Sequence, residues 1–141
     1  MEIQTFRDLK VWQMGMSIAK EVISATRSMP KSEMFAMTSQ MRRAASSIPM
    51  NIAEGYGKHT RPAYVYGLRT AMGSLYELMT AYELSVAVGY IKPNPALESL
   101  LPQEDRMLKA LIAKIEAIEK AQVSRKRRSK QLSQPLPPST P

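Results

Sequence analysis

The chain has 141 residues, with 20 Lys and Arg against 12 Asp and Glu, no cysteine and a single histidine, His59. That length points to one domain, able to bury roughly two thirds of its unfolded surface without a disulfide or metal staple. The missing cysteines exclude disulfides, thiolate zinc sites and a cysteine nucleophile, and one histidine excludes a His-rich metal site. No stretch approaches the roughly 18 apolar residues of a membrane span, and MEIQTFRDLK has no apolar run like a signal peptide's. Composition therefore points to a soluble, cytoplasmic, basic protein with no membrane partner.

The periodicity predicts four helices and almost no strand. In the first, Leu9, Trp12, Met16, Ala19, Ile23 and Thr26 recur at spacings of three and four, one face of a helix. Val11, Gly15, Ile18, Val22 and Ala25 form a second stripe beside it. A sector this wide suits a deeply packed helix or a subunit interface. Thr5 with Asp8 reads as a capping box, and Pro30 as the stop. The second helix is expected from about Ser32 to Glu54, with Met34, Met37, Met41, Ala44, Ala45, Ile48 and Ile52 inside. Thr38 is a candidate cap for an internal restart, Pro49 predicts a kink near Ala45–Ile48, and Gly55 and Gly57 a left-handed stop.

Thr60 and Pro62 open the third helix, whose apolar face is Leu68, Ala71, Met72, Leu75, Leu78, Met79, Tyr82 and Val86, and Gly89 ends it. The fourth begins at Asn94-Pro95 or restarts at Pro102, with Leu108, Leu111, Ile112, Ile115 and Ile118 inward. Asp105–Lys109 and Glu116–Lys120 are expected as outward i, i+4 pairs. Short links between four long helices make neighbours antiparallel, so the expected fold is all-α, an up-down-up-down four-helix bundle.

The charge is unevenly placed. Residues 1–123 hold 15 basic and 12 acidic side chains, whereas 124–141 hold Arg125, Lys126, Arg127, Arg128 and Lys130 and no acid. Pro135, Pro137, Pro138 and Pro141 follow. The expected division is a bundle over 1–123 and a disordered, basic, proline-rich tail over 124–141.

No catalytic set stands out. There is no Glu-x-x-His pair for a bundle di-iron site, no phosphate-binding glycine loop and no zinc spacing, so no cofactor or metal is expected. Glu54 and Glu77 are conceivable as an acid–base pair, but no nucleophile stands near either. Arg42-Arg43, beside the small residues Ala44, Ala45, Ser46 and Ser47, is more informative. Two such arginines either pair with acids or meet phosphate. Arg43 and Glu54 lie three turns apart on one stripe, roughly 16 Å by the helical rise, and cannot touch within a straight helix. Glu77 sits among Gly73, Ser74, Ala81 and Leu84, where a lone carboxylate would be costly. A structural ion pair is therefore expected among Arg42, Arg43, Glu54 and Glu77, with Glu77 taking an arginine from the neighbouring helix.

Four strings together resemble one family: Phe6-Arg7-Asp8-Leu9-Lys10-Val11-Trp12-Gln13, Gln40-Met41-Arg42-Arg43-Ala44, Ser47-Ile48-Pro49-Met50-Asn51-Ile52-Ala53-Glu54-Gly55-Tyr56-Gly57, and Ala71-Met72-Gly73-Ser74-Leu75-Tyr76-Glu77-Leu78. The chain resembles, over about residues 6–120, the bacterial four-helix-bundle proteins encoded in intervening sequences of large-subunit ribosomal RNA genes. The accessory variability determinants of diversity-generating retroelements are similar to that family. The resemblance implies a homopentameric barrel whose basic surfaces bind nucleic acid, RNA or an RNA–DNA hybrid. In retroelements it implies an accessory partner of the reverse transcriptase; in ribosomal RNA genes, an RNA-binding protein. Met79 departs from it, standing where the family has a second glutamate, and the tail lies outside it.

A non-catalytic nucleic-acid-binding accessory protein is the expected function, against a small ribonuclease or a pure protein scaffold. Phosphate binding needs clustered cations. The candidates are Arg125, Lys126, Arg127, Arg128 and Lys130 in the tail, then Lys58 and Arg61 before the third helix, then Lys10, Lys20 and Arg27 along the solvent face of the first.

Overall fold

In the computed structural model, which describes residues 2–139, four helices carry the chain: α1 (Lys10–Thr26), α2 (Met37–Gly57), α3 (Arg61–Ala87) and α4 (Pro95–Leu132). No strand occurs among the described residues. α1 packs on α2 and α4, and α3 packs on α2 and α4, so the helices stand at the corners of a square bundle. The core runs down its middle through Ile18, Val22, Met41, Ile48, Ile52, Leu68, Leu75, Leu78, Leu97 and Leu108.

Local chemistry explains most boundaries. Thr5 and Asp8 form the capping box, but on a 3₁₀ turn over Phe6–Asp8; extended backbone at Leu9 separates that turn from α1. The Asp8 carboxyl is held below its ordinary range, chiefly by accepting from the Thr5 and Gln4 amides. The core takes Val11, Gly15, Ile18 and Val22 of one stripe and Leu9, Ala19 and Thr26 of the other, while Met16 and Ile23 are exposed.

α2 starts later than expected, at Met37 after a 3₁₀ turn over Lys31–Glu33. Met34 is consequently exposed rather than inward. Thr38 is no cap: it is buried and donates to the Met29 sulfur, while the Glu33 carboxylate takes the Met37 amide at 3.3 Å. The helix continues through Pro49 and through both Gly55 and Gly57. The left-handed residue of the α2–α3 turn is His59, at φ 58°, not a glycine.

Thr60 caps α3 by accepting from the Ala63 amide, and Gly89, at φ 81°, turns the chain out of it. Asn94 caps α4, Pro95 occupies its first position, and Pro102 sits inside without stopping it. Ile118 is exposed, since the buried face of α4 ends at Ile115. Asp105–Lys109 forms at 3.0 Å, but Glu116 takes Arg69 of α3 at 3.0 Å in place of Lys120.

Candidate nucleic-acid interface

α4 does not end with the bundle. Every described residue from Lys120 onward is exposed, yet the helix runs on to Leu132. The tail expected to be disordered from 124 is thus helical through its whole basic stretch, and only the proline-rich segment after Ser133 is irregular. Pro135 is the first residue that forbids helix, whereas Lys, Arg and Gln before it are good helix formers. Pro141, the last proline of that tail, lies outside the described residues. Arg125, Lys126, Arg127, Arg128 and Lys130 therefore ride on a regular helix. At 100° per residue they are spread around its whole circumference. From Lys120 to Leu132 the arm spans about 20 Å. None of the five has an acidic partner; the ion pairs among the described residues are Lys58–Glu54, Arg61–Glu119, Arg69–Glu116 and Lys109–Asp105.

The other candidate cations divide into two groups. Lys10, Lys20 and Arg27 are exposed along α1 without an ion pair. Lys58 and Arg61 are engaged. The Lys58 ammonium lies 3.5 Å from the Glu54 carboxylate one turn back. The Arg61 guanidinium donates to Glu119 at 3.3 Å and to Gln122, tying the start of α3 to the base of the arm. Arg61 acts as a strut there, and free cations on the α2–α3 turn are few.

The expected arginine–glutamate pair is absent from the bundle. Glu77 and Arg43 are both exposed and neither makes an ion pair among the described residues. Half-buried Arg42 donates from Nε to the Thr26 hydroxyl at 2.9 Å. Glu54 is taken by Lys58. The α2–α3 seam is closed by small groups, Ser47 with Ser74 at 2.7 Å and Gly55 against Gly67, leaving the long charged side chains outside it. Exposure reverses the expected consequence within one chain: at a concentration low enough to keep copies apart, Glu77→Ala should leave the unfolding free energy of the bundle within about 0.5 kcal/mol of the parent. A loss of several kcal/mol would restore the buried pair.

The carboxylate that is buried is Glu104 of α4, which sequence reasoning missed. It is fully buried, and neither oxygen has a hydrogen-bond partner. It lies where α1, α2 and α4 meet: a Cβ on Gly15 would stand 3.2 Å from Glu104 Oε2, 3.2 Å from an Ile48 methyl and 3.4 Å from the Pro49 ring. Desolvation pushes its pKa up to about 8, so at neutral pH it is mainly a neutral acid. The available signal was its spacing, since Leu97, Leu101, Glu104 and Leu108 recur at four, three and four. Among the described residues no group of acidic or His side chains could hold a metal, and no helix is long and apolar enough to cross a membrane. His59 is exposed on its turn.

The family described as 23S rRNA-intervening sequence protein matches residues 7–113. Among solved structures, the chain is similar to the crystal structure of a protein with unknown function from the S23 ribosomal protein family of Bacteroides thetaiotaomicron. The two are 21% identical with a TM-score of 0.65, over 73% of this chain and 95% of that one. That likeness speaks for the helical fold alone. No curated protein matches.

Proposed function

The chain belongs to the 23S rRNA-intervening sequence protein family, and we propose that it is a non-catalytic, homo-oligomeric protein that binds RNA or an RNA–DNA hybrid through phosphate. The observation that carries this reading is the arm of α4, with five cations in six residues on all sides of an exposed helix and no acid to answer them. Such an arm meets phosphates whichever way a strand lies, and has no set of base-reading side chains to impose sequence. Lys10, Lys20 and Arg27 on α1 add a weaker, more widely spaced row. Assembly strengthens both: the net of three positive charges on residues 1–123 becomes about +15 in the pentamer that the family resemblance implies. Assistance to a reverse transcriptase is a finer case of the same binding, resting on resemblance alone.

Salt dependence tests the reading. Each phosphate neutralised on a single strand contributes about −0.7 to the slope of log affinity against log salt. Removing residues 124–141 should flatten that slope by up to roughly 3 per engaged arm while leaving the number of chains per particle and the melting temperature of the bundle unchanged. Equal slopes for truncated and full-length protein would make the arm a bystander. Retention without any cleavage of the RNA separates this reading from a ribonuclease.

A further inference from the structure

The bundle leaves an unusual set of side chains outside. Phe35 is 96% exposed, Met50 68% and Met34 44%. All three line a shallow groove along the outer side of α2, together with Arg42 and Arg43. Half-buried Arg42 is fixed there by its bond to Thr26, which itself donates to the Val22 carbonyl at 2.7 Å. On α3, exposed Tyr76, Glu77 and Leu84 line a second groove. Tyr76 is fixed by donating to Asp105 at 2.6 Å. The first groove also includes Glu54, but Lys58 takes that carboxylate, so one face carries arginines without an ion pair and the other an acid without a cation, and both carry exposed apolar side chains.

We propose that these two faces dock on each other between copies of this chain, with Arg43 on the α2 face of one copy meeting Glu77 on the α3 face of the next. This rests on the homo-oligomer part of the proposed function and is independent of the nucleic-acid part. A second copy fits better than RNA for two reasons. Exposed Phe and Met with Arg and no Lys is the composition of a protein interface, whereas nucleic-acid surfaces are more polar and more cationic. The complementary charge is also supplied by the chain itself. Ser47 bonds Ser74, so Arg43 and Glu77, each about one turn from that bond, stand at similar height on neighbouring helices. Both nevertheless point to solvent unpaired. Because the faces differ, the contact is head-to-tail; because they sit on adjacent helices, each copy turns relative to the last, which favours a closed ring over a straight filament.

The test uses Arg43→Glu and Glu77→Arg, each in the full chain, with mass by light scattering and folding by circular dichroism. Each variant alone should associate at least about tenfold more weakly than the parent, because like charges then face each other. An equimolar mixture should recover most of the association, since where the variants alternate one junction regains opposite charges with their signs exchanged and the next is the parental one; an odd-membered ring keeps a single like-charge junction. A pair confined within one chain predicts no such recovery. Phe35→Ser should also weaken association, and its exposure keeps it informative if a charge variant fails to fold. Parent protein at the mass of one chain overturns both this inference and the homo-oligomer reading. An assembled parent with unchanged mass in all three variants overturns this inference alone. So does an Arg43→Glu variant that keeps its mass but loses RNA retention, an outcome that would make the groove a phosphate site.

Discussion

Glu104→Leu should raise the stability of the bundle at neutral pH, and the gain should grow as pH rises. In the unfolded chain this carboxyl titrates at its ordinary 4.5; in the fold it keeps its proton to about 8. Below 4.5 both states are protonated and the group contributes no slope. Between 4.5 and 8 the folded state holds the extra proton, so each unit of pH costs about 1.4 kcal/mol of stability. Above 8 both states are ionised and the loss levels off. The direction is opposite to that of a salt-bridged carboxylate, whose stabilisation is present at high pH and fades in acid. At pH 7 the accumulated loss is roughly 3 kcal/mol. Leucine removes that loss and restores the apolar register of Leu97, Leu101 and Leu108. Glu104→Gln isolates the proton: it keeps the shape and a buried polar group but cannot ionise. Urea midpoints of parent and Glu104→Gln, compared at pH 5 and pH 8, should diverge as pH rises; parallel curves would mean that water reaches the carboxyl.

Glu104 also marks where the sequence stops being legible. Four helices, their antiparallel order and most inward positions follow from spacing, because burying an apolar stripe is the dominant favourable term and leaves a periodic trace. The α3 face was read without error: Leu68, Ala71, Leu75, Leu78 and Tyr82 are buried and Met72, Met79 and Val86 are partly so. α1 is harder, since both its stripes are apolar and nothing along one helix says which members of each the bundle buries. Gly15 is among the buried members, and its lack of a side chain matters only through what Ile48, Pro49 and Glu104 do on two other helices. For the same reason Arg43 and Glu77 could be matched by charge but not by direction. In the arm, the closing prolines and the missing apolar periodicity point to disorder over the whole tail, although the residues before Pro135 favour helix. At the candidate interface the cations were legible residue by residue. That Arg61 is bound to Glu119 and Gln122 depends on a contact across more than fifty residues.

Gly67→Ala should be among the most damaging single substitutions in the chain. Gly55 reads in sequence as a helix stop, yet it lies inside α2 and faces Gly67 of α3 across the α2–α3 seam. A Cβ on Gly67 would stand 2.6 Å from the Asn51 carbonyl oxygen and 2.8 Å from Gly55 Cα. Both obstacles are helical backbone and cannot rotate away, so α2 and α3 must part. Parting them loosens the seam on which Ile48, Ile52, Leu68 and Leu75 pack and lengthens the Ser47–Ser74 bond. Overpacking of this kind costs about 1–3 kcal/mol where side chains can yield, and the upper end or more where only backbone can. Alanine's better helix propensity returns about 1 kcal/mol, too little to cancel the clash. Gly73, on the same helix but exposed with open space around its missing side chain, isolates that propensity term. Gly73→Ala should therefore stabilise by roughly 0.5–1 kcal/mol while Gly67→Ala destabilises by about 2–3 kcal/mol, in the same urea titration. Two alanine variants moving together, in either direction, would mean that the helices do not touch through their glycines.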